Sequence, residues 1–401
     1  MSAIEDIETT SSGLEWDTLL TRKAAFTAFL QGFTSLLPFF MVLNSNVAFE
    51  DSIWPGSVMS DVLGGAAEGA NLFVCLTLAA IGPLALSPAF PLTASAVLTV
   101  AVLSFPLVAQ LLPGTHNETA ALAAMAALNV VIGGMGGALS CHGYQWAGQV
   151  SPGCVAWVST GIGASGVASF FTFLFFSELV FPKASVAGQQ QLIWTLFAIG
   201  GLAPLMTTVA VRSFSKSELF RTLRLNTRLN STGRSELVVV LRECFPFCAA
   251  LFFHFFVTMS LFPVVGPYSW SKLSYTSTTI INGVFQVTDM TSRWLPRSVP
   301  ALLLSRRVTL LLFVIRPLVF IPLFVVPARL PDIDLLNNAL FQGTVMLLFA
   351  FFHGTGATVG AVHTIDSVTT PQDKQLAACL MTISVTAGVT VGMFSSKMYL
   401  L

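Results

Sequence analysis

The sequence predicts an all-α membrane protein: eleven transmembrane helices split six and five into two bundles, with the N-terminus in the cytosol. Three observations carry this expectation. Of 401 residues, 54% are hydrophobic and only 9% charged, and the mean hydropathy is +0.78, whereas a soluble domain is about 25% charged. No soluble fold has enough interior for that much apolar surface. Continuous apolar runs of about 20 residues, the length that crosses a bilayer, recur along the chain. Basic residues collect on one side once the runs are made to alternate. Alternating ten-residue segments, the mark of a membrane β-barrel, are not the pattern.

The expected spans are Ala24–Phe49, Gly69–Leu86, Pro91–Leu112, Thr119–Ala147, Gly153–Leu179, Gln190–Val211, Arg242–Val265, Tyr275–Leu295, Val308–Val326, Leu335–Val359 and Lys374–Leu401. The second and fourth are the least sharply bounded, because Gly and Pro interrupt their surroundings. With the N-terminus inside, Arg22, Lys23, Arg212, Lys216, Arg221, Arg224, Arg228, Arg234, Arg242, Arg297, Arg306, Arg307 and Lys374 fall on the cytosolic side. Only Lys183, Lys272, Arg329 and Lys397 fall outside. Basic residues resist translocation, so this asymmetry sets the orientation. The first external loop is expected to carry Glu50, Asp51, Asp61 and Glu68. Asn117-Glu118-Thr119 is a glycosylation sequon on the outer side. Trp54 is expected at the outer interface or over an entrance.

The domain boundaries follow. Residues 1–23 form a cytosolic tail, 24–211 a six-helix bundle, 212–241 a basic cytosolic linker and 242–401 a five-helix bundle. Two bundles facing each other place a substrate site near the midplane between them. Small-residue patches, Gly133-Gly134-Met135-Gly136-Gly137, Ser159 to Gly166 and Gly354-Thr355-Gly356, suit close helix packing, because lipid gives helices no hydrophobic reason to associate. Pro38, Pro106, Pro263, Pro317 and Pro322 suit kinks.

Several function classes drop out. No basic run with interleaved aromatics favours nucleic acid. The polar, acidic first twenty residues are not a cleavable signal. The six cysteines lie in or beside apolar runs without zinc spacing and read as small buried hydrophobes, so no metal or cofactor is expected. There is no HExxH, no GxSxG and no pair of catalytic carboxylates, so an enzyme is not expected. The partners expected are membrane lipid and a small-molecule solute, with one chain sufficient.

The chemistry concentrates in Phe285-Gln286-Val287-Thr288-Asp289-Met290-Thr291-Ser292-Arg293. Asp289 and Arg293 are four residues apart and share one helix face; Gln286 extends the stripe. An ionised group at the bilayer centre costs roughly 2.5–3.5 kcal/mol on insertion scales, so such a pair faces protein, a wet cavity or itself. Three readings stand: a ligand site, a structural ion pair, or an Arg293 that snorkels to the cytosolic surface. An acceptor beside a donor suits a flat, polar, neutral ligand. His254 and His353 read as packed histidines bonded to neighbouring helices, with a proton relay as the alternative. His363, Asp366, Asp373 and Lys374 read as surface charges of a cytosolic turn.

These residues resemble the equilibrative nucleoside transporter family. The run from Phe285 to Arg293 looks like the family's eighth-helix signature. Phe255 to Pro263 resembles its seventh-helix segment, and Gly161-Ile162-Gly163-Ala164-Ser165-Gly166 its fifth-helix glycine pattern. Arg316-Pro317-Leu318 through Pro322-Leu323-Phe324 is similar to its ninth-helix segment, and Gly32 to Phe40 to its first. The wording is nearest to apicomplexan members, and the motifs occur in order. The resemblance implies a major-facilitator-like fold and facilitative, alternating-access transport of nucleosides, purine nucleosides foremost, with nucleobases as further candidates. A proton-coupled symporter of the same fold is the alternative; an arginine beside Asp289 weighs mildly against it. The resemblance assigns ligand contacts to Asp289 and Arg293 and a shape or stacking role to Phe39. Phe40 stands where the family has Asn. Ser140 stands where the family has a longer Gln, so His142 and Gln145, two and five residues on, become candidates for the missing contact; Gln145 at the cytosolic helix end is the other reading. The expected location is the plasma membrane.

Overall fold

The computed structural model describes residues 21–48, 59–81, 87–111, 118–181, 185–229, 237–270, 274–299, 302, 304–330 and 332–399. Among these, the chain is all helix. In order they are α1 (Arg22–Ala48), α2 (Met59–Ile81), α3 (Ala89–Leu111), α4 (Glu118–Val150), α5 (Pro152–Phe175), α6 (Val186–Ser215), α7 (Glu218–Leu229), α8 (Leu237–Leu261), α9 (Tyr275–Ser298), α10 (Arg306–Arg329), α11 (Ala339–Ile365) and α12 (Pro371–Ser395). Eleven are membrane-length, and α7, at 12 residues, is not. Ten of the long helices are apolar enough to cross a bilayer by composition. The exception is α9, whose polar stripe lowers its hydropathy although its 24 residues match its neighbours.

Helix starts are written locally. Ser151, Ser185, Ser274, Ser305 and Thr370 each accept a hydrogen bond from the backbone N–H three residues on, which satisfies one of the orphan donors at a helix N-terminus. Pro152 and Pro371 occupy first-turn positions where no N–H is needed. Pro38, Pro106, Pro317 and Pro322 lie inside α1, α3 and α10 as expected, and Pro263 ends α8 just before a π turn over Val264–Tyr268.

Two expectations are corrected. The second span begins at Met59, ten residues before the expected Gly69. The run Gly64-Gly65-Ala66-Ala67-Glu68 has the composition of a loop, but α2 lies directly on α4, where a Cβ on Gly133 would strike the Ala67 backbone and Asn129 donates to the Leu63 carbonyl. Glu68 is therefore buried in a helix rather than exposed in a loop. His363, in the last turn of α11, is also buried, with Nε2 donating to the Leu304 carbonyl at 2.8 Å and the Phe247 ring of α8 against it. The polar stretch after α6 contains α7, in which Phe220 and Leu223 face inward while Arg221 and Arg224 are exposed. Asn117 and Trp54 lie outside the described residues. The six cysteines are buried and unbridged, as expected.

Each half has its own core. One gathers Leu37, Met41, Leu98, Phe105 and Phe197 of α1, α3 and α6. Another gathers Leu261, Phe285, Phe324 and Phe349 of α8 to α11. A third joins the halves on the face that carries the start of α1: Trp146, Val155, Phe214 and Phe220 from one half pack with Leu251, Phe313, Ala361 and Ile365 from the other. Within the first half, α1 lies along α5 so closely that a Cβ on Gly161 would run into the Phe29 carbonyl. On the opposite terms, a Cβ on Gly69 meets nothing within 4 Å.

Two outcomes follow. Gly161→Ala forces α1 off α5 and lowers the thermal transition of the detergent-solubilised protein, while Gly69→Ala leaves it unchanged or slightly raised; differential scanning fluorimetry measures both. The second concerns Asp366, which caps α11 outside the span and lies 3.8 Å from Lys374. Burial raises its carboxyl above the ordinary carboxylate range, and the Lys374, His363 and Arg306 charges only partly oppose this. A raised folded-state pKa means stability that is present below about pH 4, the unfolded value, and lost as pH rises through the folded value. Asp366→Asn is therefore expected to raise the transition temperature at pH 7, with the gain vanishing toward pH 4.

Candidate functional site: a buried ion pair where the halves meet

α9 runs between α5 of the first half and α11 of the second, and its polar stripe faces both. Asp289 and Arg293 are 6% and 4% exposed. The Arg293 Nε–H is shared by the two carboxylate oxygens, at 3.0 and 2.9 Å. Its two amino groups reach across to other helices: Nη1 donates to Ser159 Oγ on α5 at 3.3 Å, and Nη2 to His353 Nε2 on α11 at 3.3 Å. Ser159 also bonds Thr358 of α11 at 2.8 Å, and Thr358 Oγ1 donates to the Arg293 carbonyl at 3.3 Å. One guanidinium thus ties α9 to a helix from each half.

Two glycines make room for this. A side chain at Gly163 would collide with the Met290 backbone and the Arg293 stem, and one at Gly354 with Ser292 and Asp289. The small-residue patches read from the sequence as packing motifs do pack helices closely: Gly163 and Gly354 against the charged pair, and Gly133, Gly136 and Gly161 against α1 and α2.

Behind the pair is a second buried cation. Arg316 of α10, 4% exposed, donates from Nη1 to the His254 carbonyl at 2.8 Å and from Nη2 to Thr258 Oγ1 at 2.8 Å, and its guanidinium lies 4.4 Å above the Phe349 ring. Donor counting fixes both histidines. His353 Nε2 receives Arg293 and so carries no proton; its Nδ1–H reaches Thr258 Oγ1 at 3.0 Å. His254 Nδ1 receives Arg316 Nη1 at 3.3 Å, and its Nε2–H donates to the His353 carbonyl at 3.1 Å. The two rings stack with centroids 5.0 Å apart. Both imidazoles are neutral, each a link between a guanidinium and the next helix, as the packed-histidine reading expected.

The other sequence-derived residues are distributed as follows. Gln286 Oε1 lies against Gly166 of α5, beside Phe40 of α1, one turn from Asp289. Phe39 is buried; it continues the Gln31 and Ser35 face of α1, which packs on α4 at His142 and Gly136. Its ring centroid is 6.0 Å from that of Phe40. His142 Nδ1 meets Gln31 Nε2 at 3.2 Å in the α1–α4 seam. Gln145 donates to Cys379 Sγ at 2.6 Å in the α4–α12 seam. Neither is brought to the ion pair. The α4 side chain that is brought there is Tyr144, which feels the charge of Arg293 and reaches Ser159; Ser140 lies one turn before it on the same face. The sequence reading missed Tyr144, Ser159, Thr258 and Arg316. Arg316 carried a signal, an arginine mid-way along an apolar run; the others are hydroxyls indistinguishable from ordinary packing residues.

The fold is like that of solved transporters, among them a proton:xylose symporter of the major facilitator superfamily. A D-xylose–proton symporter superposes with a TM-score of 0.62 at 13% identity, covering 93% of this chain and 88% of the symporter. A bacterial homologue of the iron transporter ferroportin superposes with a TM-score of 0.59 at 11% identity, covering 94% and 92%. No protein-family model matches the chain. By sequence the chain is similar to Nucleoside transporter 1 of Plasmodium berghei, 24% identical over 322 residues and 77% of each chain. It is also similar to Nucleoside transporter 1 of Plasmodium vivax, 25% identical over 284 residues and 67% of each. The Plasmodium falciparum protein of the same name is 23% identical over 292 residues. The apicomplexan resemblance of the motifs therefore extends over most of the chain, which is a multi-pass integral membrane protein.

Removing one member of a buried pair leaves the other charge uncompensated, which costs about 3–5 kcal/mol. Asp289→Asn is expected to lower the thermal transition strongly. Adding Arg293→Gln to it is expected to recover part of the loss, a coupling that a double-mutant cycle in detergent measures. Additive losses would show the two groups to be energetically independent.

Proposed function

We propose that this protein carries nucleosides across a membrane down their gradient, purine nucleosides foremost and nucleobases as further candidates, by exposing one site alternately to the two sides. The observation that carries the reading is the Asp289–Arg293 pair, set where α5 and α11 of opposite halves meet α9. Each carboxylate oxygen accepts only the shared Nε–H in the bonds found here, and a carboxylate has about four lone-pair sites. It can accept a ribose hydroxyl or a base N–H while Arg293 donates to a ring nitrogen or carbonyl. Gln286 and Phe40 lie one turn along the same seam, an amide and an aromatic face suited to a purine edge and plane. Tyr144 and Ser140 supply hydroxyls from α4. Supporting the substrate class, the similar Plasmodium proteins are named nucleoside transporters. A ligand bridging the pair would loosen the bonds that tie α9 to each half, which couples occupancy to rearrangement. In this reading the N-terminus is cytosolic, the membrane is the plasma membrane, and one chain suffices.

The test is uptake of labelled adenosine, inosine and hypoxanthine into proteoliposomes with cold substrate inside. Saturable uptake, accelerated by internal substrate and lost in Asp289→Ala and sharply reduced in Gln286→Ala, is the expected result. Absence of uptake of all three by wild-type protein that elutes as a single species would overturn the nucleoside assignment. Uptake that survives Asp289→Ala would move the site away from the pair. Equal uptake with and without an imposed pH gradient is expected; gradient-driven accumulation would favour a proton-coupled symporter of the same fold.

A further inference from the structure

On the outer surface of the first half, α1 and α6 part to leave a groove of about 470 Å³ near the start of α1. Its floor is buried Thr27 and Ala210, and its walls are apolar and outward-facing: Phe26 is 53% exposed and Val209 70%. Such walls are at home only against acyl chains. The mouth is different in kind. Lys23 lines it together with Ser213. Arg22, four residues before Phe26, and Arg212, three after Val209, fall on the same faces by helix register, and both are exposed. Among the described residues, no carboxylate lines the groove.

We propose that this groove is a binding site for one anionic glycerophospholipid of the leaflet on the N-terminal face. One acyl chain lies along Phe26, Leu30, Met206 and Val209. The phosphodiester and its headgroup sit among the Lys23 ammonium, the Arg22 and Arg212 guanidiniums and the Ser213 hydroxyl. Basic pockets at helix ends select acidic headgroups because each Lys or Arg near the surface adds attraction that a zwitterion, with its own ammonium, does not gain. With no acid in the lining, nothing receives that ammonium. The site is independent of the ion pair between the halves and of the solute carried.

The measurement is native mass spectrometry of the full chain released from detergent containing equal phosphatidylglycerol and phosphatidylcholine. The first bound lipid is expected to be phosphatidylglycerol, with a preference of roughly five-fold for each cation engaged. Arg22→Ala/Lys23→Ala/Arg212→Ala, all at exposed positions, is expected to bring the two lipids to parity. Met206→Trp, which fills the groove, is expected to reduce retention of both. Arg221→Ala/Arg224→Ala, on the exposed face of α7, is the control for general attraction to a basic surface and is expected to keep the preference. No preference in the wild type, or a preference lost in the α7 variant and kept in the groove variant, would overturn the proposal. A preference that emerges only after Glu15→Gln/Asp17→Asn would assign the basic mouth to the acidic N-terminal segment instead, and would overturn it too.

Discussion

Arg293 spends its guanidinium in three directions, and much of the interior is arranged around that fact. Nε holds Asp289 on its own helix, Nη1 holds α5, and Nη2 holds α11. A charge in the apolar interior is tolerable only when it is paired and its remaining donors are bonded. That demand dictates the neighbours: hydroxyls at Ser159 and Thr358, an unprotonated imidazole nitrogen at His353, and glycines at 163 and 354 so that the backbones can come close enough. The packing motifs and the charged motif, separate in the sequence, are one construction.

The same requirement propagates outward. His353 can receive Arg293 on Nε2 only if its proton sits on Nδ1, and Thr258 Oγ1 is placed to accept that proton. Thr258 in turn gives its own hydrogen to the His254 carbonyl and accepts from Arg316. The result is a chain of four helices, α8 to α11, in which each polar group fixes the state of the next. Two guanidiniums share this interior with one carboxylate, so the cluster carries excess positive charge spread over aromatic and histidine rings. A site with that balance suits a solute rich in acceptors, such as a purine or a sugar, better than a cation.

Much of this was legible in the sequence, and the reasons differ by feature. The spans were readable because lipid demands continuous apolar runs, and Asp289 and Arg293 because charge is rare there. The start of α2 was not: a stretch of Gly, Ala and Glu is loop-like unless it is known to lie on another helix, and its partner in α4 is over sixty residues away. His142 and Gln145 drew attention as polar side chains at a site short of an amide. Side-chain direction on α4 was the missing fact, since Tyr144 between them is the one that points to Arg293. Hydroxyl partners such as Ser159 carry no local signal, for Ser and Thr are everywhere in membrane helices.

The core that joins the halves on the N-terminal face gathers apolar side chains, Trp146, Phe214, Phe220, Leu251, Phe313 and Ile365 among others. Parting the halves there, as the proposed alternation of access requires, would hydrate apolar surface, so the closure would carry a heat-capacity change. Its strength follows water rather than charge: it weakens on cooling and is nearly indifferent to ionic strength. A membrane that grows cold loosens this closure at the same time as it stiffens the lipid around it.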